Sequence, residues 1–219
     1  MATTKELREN LPASSRPEML SKINKHFFPD HDRVVQSFFH LKNEVTIDSV
    51  AYVIEGIIDA NTPQFEIDED EDGEEILVET PSEDVINLLI TSPGGDMAAC
   101  FALIDVIRGS KIPIRTIAIG EAASAALCIL MAGHQRVATR YTSLMSHAFS
   151  TGAEGHYHEL KNAASQFDVY FAKMVSLYEE CTGHDEKFIK SELLPILDKW
   201  MTAEDAKKFN FVDLVSDLS

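Results

Sequence analysis

The 219-residue chain is 45% apolar and 25% charged, the proportions of an ordinary folded protein, which exclude wholesale disorder and a coiled coil. Its 36 acids against 19 Lys plus Arg leave a net charge of −17, which repels phosphate backbones and anionic lipid and makes nucleic acid and membrane poor partners. No uncharged apolar stretch approaches the ~18 residues that span a bilayer and the N-terminus lacks a hydrophobic signal region, so the expected location is cytoplasmic.

In chain order, residues 1–33 carry Pro12, Pro17 and Pro29 among polar residues and read as a mobile arm with one short helical piece around Met19 to Phe27. Val34 to Leu41 is β-rich, and Ile47, Val50, Ile54 and Ile57 then recur at helical spacing until Asn61 and Pro63 stop the pattern. The segment from Glu66 to Asp84 holds 11 acids and no Lys or Arg, and accounts for all but −6 of the net charge. It reads as an exposed hairpin turning at Asp72-Gly73, within an insertion spanning 65–84.

From Val85 the pattern sharpens. VINLLI is a continuous apolar strand, Ser92-Pro93-Gly94-Gly95 breaks it, and Met97 to Arg108 is helical in period. A second strand, RTIAI, precedes Gly120, and the uncharged run Ala123 to Ala132 predicts a helix buried all round and ending at Gly133. Short strands follow at Arg136 to Thr139 and Ser143 to Ser146. A long helix then runs from about His158 to Glu180 with Leu160, Ala164, Phe167, Phe171, Met174 and Tyr178 along one stripe. Apolar strands alternating with helices predict the α/β class with a largely parallel sheet.

Ser124, in Gly120-Glu121-Ala122-Ala123-Ser124-Ala125-Ala126, stands between a strand and a buried helix, where amide N–H groups and the helix dipole stabilise developing negative charge. Taken alone it reads first as a helix cap or a close-packing residue. His147 ends a strand 23 residues later, within reach of an adjacent strand end, and Asp198 is an acid among apolar neighbours that either orients a histidine or caps the helix beginning near Ala203. Gly94 and Gly95 let the backbone approach a ligand closely, and the same pair reads as a tight turn. Cys100, Cys128 and Cys181 are widely spaced beside apolar residues and read as reduced, packed thiols. His156-Tyr157-His158 lacks a third metal ligand and reads as a solvated loop, so no metal or other cofactor is expected.

The strand-SPGG-helix segment, the spacing of 29 from Gly95 to Ser124, GEAAS, LMSH and DKWMTAEDAKKFNFVD occur in the order found in a known family, and the chain resembles ClpP, the proteolytic subunit of the ATP-dependent Clp protease. The resemblance implies a ClpP/crotonase-like fold with a protruding handle helix, occupying residues 34–219. It implies a Ser-His-Asp triad with Ser124 as nucleophile, His147 as general base and then acid, and Asp198 orienting His147. The amides of Gly95 and Ala125 would form an oxyanion hole, and Gly94 and Phe149 would touch substrate. It further implies a homo-oligomer of heptameric rings, stacked in pairs into a tetradecamer, and a Clp ATPase that feeds unfolded polypeptide for hydrolysis.

The chain also departs from the family pattern. Ile196 and Leu197 stand where the family has an acid-arginine pair bridging two rings, Phe149 replaces a proline, Ala125-Ala126 replaces Met-Gly, and Asn210 replaces a glycine that ends the C-terminal helix. Three other readings compete: a non-catalytic ring subunit, which would lack a triad residue; a crotonase-type acyl-CoA enzyme; and a Ser-Lys peptidase using Lys161 or Lys173. The three aligned residue types favour the serine endopeptidase.

Overall fold

The computed structural model describes residues 36–63, 65–69, 75–79, 85–148 and 154–217. The arm expected at 1–33, the Asp72-Gly73 turn and Phe149 lie outside the described residues. A seven-stranded sheet carries the fold, with strands in the order β1 (Gln36–Lys42), β4 (Val85–Ser92), β5 (Ile114–Ala123), β6 (Gln135–Thr139) and β9 (Leu214–Ser216), all parallel. The short β7 (Ser143–Ser146) pairs parallel with the end of β5 and antiparallel with β8 (Lys199–Thr202). The class is α/β.

β4 lies between β1 and β5, and six of its eight side chains are buried. This is why VINLLI, Asn87 apart, runs apolar without alternation: both faces of a central parallel strand are covered. Helices α1 (Ile47–Ala60), α2 (Met97–Gly109) and α3 (Ala125–Ala132) follow β1, β4 and β5 in turn. All eight residues of α3 are buried. Each of its large apolar side chains contributes about 1.5–3 kcal/mol relative to exposure. A charge anywhere on that helix would be stranded in the core.

Helix starts are fixed locally. Thr46 accepts from the Ser49 amide at 3.1 Å while its own amide donates to Ser49 Oγ at 2.9 Å, a reciprocal cap that starts α1. Asp96 accepts from the Ala99 amide at 2.7 Å and starts α2 directly after the two glycines.

The register between β4 and β5 slips after Ile90↔Ala118, so that Ser92 pairs with Ala122, and Gly120 takes φ 76° at that bulge. Up to Ala118 the other side of β5 pairs with β6, and from Glu121 it pairs with β7. The bulge thus lets one strand serve two parallel neighbours and delivers β7 to the carboxyl end of the sheet.

Helix α4 (Tyr157–Thr182) is longer than its buried stripe. Met174, Val175, Leu177 and Tyr178 are buried, whereas Leu160 and Ala164 are exposed, so the first half stands in solvent. Gly183 ends it at φ 74°. A short turn, α5 (Glu186–Phe188), a π-turn over Ile189–Leu193, and α6 (Ala203–Lys208) complete the chain, with Asn210 at φ 60° after α6. The acidic segment forms an antiparallel pair, β2 (Phe65–Glu69) and β3 (Glu75–Glu79), with Phe65, Ile67, Ile76 and Leu77 exposed. The three cysteines are unpaired: Cys100 and Cys128 are buried and Cys181 is partly so. No described helix is long and apolar enough to cross a membrane.

Candidate active site

Three loops leave the carboxyl ends of parallel strands at one place: Pro93 to Gly95 after β4, Ser124 after β5 and His147 after β7. This is where open α/β sheets bind ligands, because the chain turns there with backbone groups free. Ser124 sits on a sharp strand-to-helix turn at φ 54°, ψ −121°, a conformation costly for any residue with a Cβ. Its amide donates to Met145 O at 2.9 Å, which fastens the turn to β7.

The side chains converge. Ser124 Oγ lies 2.7 Å from His147 Nε2, and His147 Nδ1 lies 3.2 Å from Asp198 Oδ1. The antiparallel pairing of β7 and β8 matches Ser146 with Lys199, so the next step outward sets His147 opposite Asp198. A carboxylate only accepts, so Nδ1 carries the proton and Nε2 is left to accept from the Ser124 hydroxyl. The His147 side chain is 14% exposed and that of Asp198 is 54% exposed. A carboxylate this open to water is well screened. Asp198 does not cap the following helix; Thr202 does, accepting from the Asp205 amide at 3.2 Å.

The glycine loop is pressed between two backbones. A Cβ on Gly94, which takes φ 98°, would lie 2.7 Å from Ala123 O, 2.8 Å from Ser124 Cβ and 3.0 Å from Ala125 N. A Cβ on Gly95, at φ 150°, would lie 2.3 Å from Val45 O. Val45 N donates to Gly94 O at 2.7 Å and Asp96 N donates to Val45 O at 2.8 Å. Ala125 is the first residue of α3, so its amide is among those that helix geometry leaves without an intrahelical acceptor.

The structure therefore brings Gly94, Gly95, Ser124, Ala125, His147 and Asp198 together, while Phe149 lies outside the described residues. Sequence reading passed over Val45, Asp96 and Met145. Asp96 carries a legible signal, an acid placed just before an apolar helical run, whereas Val45 acts through its backbone and carries none. The other nucleophile candidates are poorly placed: a hydrogen bond with Cys128 and burial push the Cys100 thiol well up, and burial raises that of Cys181. His156 and His158 stand at the start of α4, where the His156 amide donates to Glu159 Oε2 at 2.7 Å.

Comparison with known proteins bears on the family of the chain. The family model described as Clp protease matches residues 75–218. ATP-dependent Clp protease proteolytic subunit 1 of Corynebacterium jeikeium is 34% identical over 139 residues, covering 63% of this chain and 72% of the relative. Proteolytic subunit 2 of Rhodococcus jostii is 34% identical over 139 residues, with 63% and 70% covered. The proteolytic subunit of Pleurastrum terricola is 31% identical over 131 residues, with 59% and 66% covered. A serine turn held against a histidine strand, in a chain matched over this span, leads to one assignment: the chain belongs to the Clp protease family and is a serine peptidase, a hydrolase of peptide bonds.

Proposed function

We propose that this chain is an endopeptidase subunit that cleaves unfolded polypeptide with Ser124 as nucleophile, His147 as base and then acid, and Asp198 as the group that orients His147. The observation that carries this reading is the 2.7 Å approach of Ser124 Oγ to His147 Nε2 on a strained turn. As Oγ bonds to the peptide carbonyl carbon, its proton passes to Nε2 and then to the leaving amine as the C–N bond breaks. Water next attacks the acyl-enzyme, gives its proton to Nε2 and releases Ser124. The amides of Gly95 and Ala125, which sit on loops in contact with each other, would receive the oxyanion. A backbone donor is indifferent to the side chain at Ala125, which accounts for the tolerance of alanine there.

Assembly into stacked heptameric rings served by a Clp ATPase is the further part of this reading. Ile196 and Leu197 are 90% and 81% exposed and immediately precede Asp198. Two large apolar side chains fully in water beside a site residue support burial of this segment between copies of the chain. Residues 1–33 are proposed as an appended arm and the segment 65–84 as a partner-selecting or solubilising insertion on the peptidase domain.

The test is intact mass after incubation with a fluorophosphonate, on wild type and on Ser124→Ala. One adduct on wild type and none on the variant establishes an activated Ser124. No adduct on folded, assembled protein would turn the assignment toward a non-catalytic ring subunit.

A further inference from the structure

A buried hydroxyl pair lies directly behind the histidine. Alternation along β7 turns Ser146 to the face opposite Met145 and His147, and there its side chain is fully buried. Ser146 Oγ donates to the Leu193 carbonyl, and that bond uses its only proton. The Tyr178 hydroxyl, 2.8 Å from Ser146 Oγ, must then be the donor to it. Burial pushes the Tyr178 phenol well above its ordinary value, so it keeps that proton throughout the neutral range. Its ring packs edge-on against Phe211 with centroids 5.5 Å apart, leaving little freedom to swing away.

Leu193 ends the π-turn, and the next five residues lead to Asp198. The Ala148 amide donates to Pro195 O at 2.8 Å, so the segment carrying Asp198 is tied to the histidine strand on both sides of His147. Cys100 Sγ donates at 3.3 Å to the carbonyl of Ala125, the first residue of the helix that begins beside Ser124. None of these groups faces the site opening. No short-range pattern in the sequence marks them.

We propose that Ser146 and Tyr178 are positioning residues, a buried hydroxyl relay that fixes the strand bearing His147 to the segment bearing Asp198 and so sets the imidazole for Ser124. This rests on the reading of Ser124, His147 and Asp198 given above. Tyr178 spans from α4 to β7, so motion of that helix reaches the imidazole through one hydrogen bond.

The experiment compares wild type, Ser124→Ala, Tyr178→Phe, Ser146→Ala, Ser146→Thr and the Tyr178→Phe/Ser146→Ala double variant. Phosphonylation by a fluorophosphonate is resolved into maximal rate and apparent binding constant, and the His147 ring resonance is followed in protein labelled with 13C-histidine, assigned by its loss in His147→Gln. Tyr178→Phe and Ser146→Ala should each lower the maximal rate about tenfold with the binding constant unchanged. Both should move the His147 resonance. The double variant should be no slower than Ser146→Ala, since the two hydroxyls act as one unit, and Ser146→Thr should recover most of the rate. A wild-type rate and an unmoved ring resonance, with only the melting temperature lowered, would overturn the proposal, as would losses that multiply in the double variant. Tyr178→Phe deletes a single oxygen from a filled site and carries the test if a Ser146 variant fails to fold. Absence of an adduct on wild type would sink the nucleophile reading alone, and the ring resonance would still decide the relay.

Discussion

The Ser124 amide donates to the Met145 carbonyl at 2.9 Å, two residues before His147. The Ser124 turn and His147 thus share one reference strand, and their separation is set by the β5–β7 ladder that this bond extends rather than by two independently placed loops. Reactivity at this site is expected to follow the integrity of β7 more closely than global stability.

Replacing Asp198 by asparagine keeps the shape of the side chain and removes the carboxylate that selects the Nδ1–H tautomer. Phosphonylation of Asp198→Asn by a fluorophosphonate should fall by about 10³–10⁴-fold, the order expected from the proposed triad when its carboxylate is lost. Its far-ultraviolet dichroism and melting temperature should match wild type, because Asp198 is more than half exposed.

Gly94→Ala places a methyl group against Ala123 O, Ser124 Cβ and Ala125 N at a φ of 98°. The loop or the nucleophile turn has to move, and a displacement of about 1 Å at a reacting group costs about 100-fold. Labelling of Ser124 should drop by at least that factor in stopped-time mass measurements, without loss of the folded state.

Arg136 joins β6 to the C-terminal segment, contacting Asp213 through its side chain and donating to Cys181 O at 2.9 Å and Asn210 O at 2.8 Å. Burial works to raise the Asp213 carboxyl, and the hydrogen bonds from Arg136 outweigh it, holding the group below its ordinary value. A carboxyl depressed in the folded state adds stability that is complete above its unfolded value, about 4, and is lost as pH falls through the folded value. Asp213→Asn should melt about 2–4 °C below wild type at pH 7, a figure that allows for screening of a partly exposed pair. The two melting curves should converge below about pH 4.

Ile196→Ser/Leu197→Ser removes the exposed apolar pair beside Asp198. Sedimentation velocity should show the assembled species shifted toward lower mass, while the fold of each subunit is unaltered. Equal sedimentation of variant and wild type would remove these residues from the interface.

The sheet was legible because its central strands are buried on both faces, which writes VINLLI and RTIAI into the chain as apolar runs interrupted only by the buried Asn87, Arg115 and Thr116. The helix from Ala125 to Ala132 was legible for the same reason, although two residues of its apolar run, Ala123 and Ser124, belong to the strand and the turn. β8 was not legible: only Met201 of its four residues is buried, and it exists because it pairs with β7. That non-local pairing also brings Asp198 to His147, so local pattern alone left Asp198 open between a cap and a site residue. The positive φ of Ser124 was equally hidden, since the flanking alanines announce a tight turn and say nothing of its sign.

The glycine loop takes its shape from Val45, which exchanges two backbone hydrogen bonds with Gly94 and Asp96 and stands three residues beyond the end of β1. The match to the family model begins at residue 75, thirty positions further along the chain. A fragment trimmed to that boundary would retain every side chain of the proposed chemistry, yet it would expose one flank of β4 along seven paired positions and release the loop that faces Ser124. The smallest competent unit therefore reaches back to β1, and the border of detectable kinship is not the border of the working part.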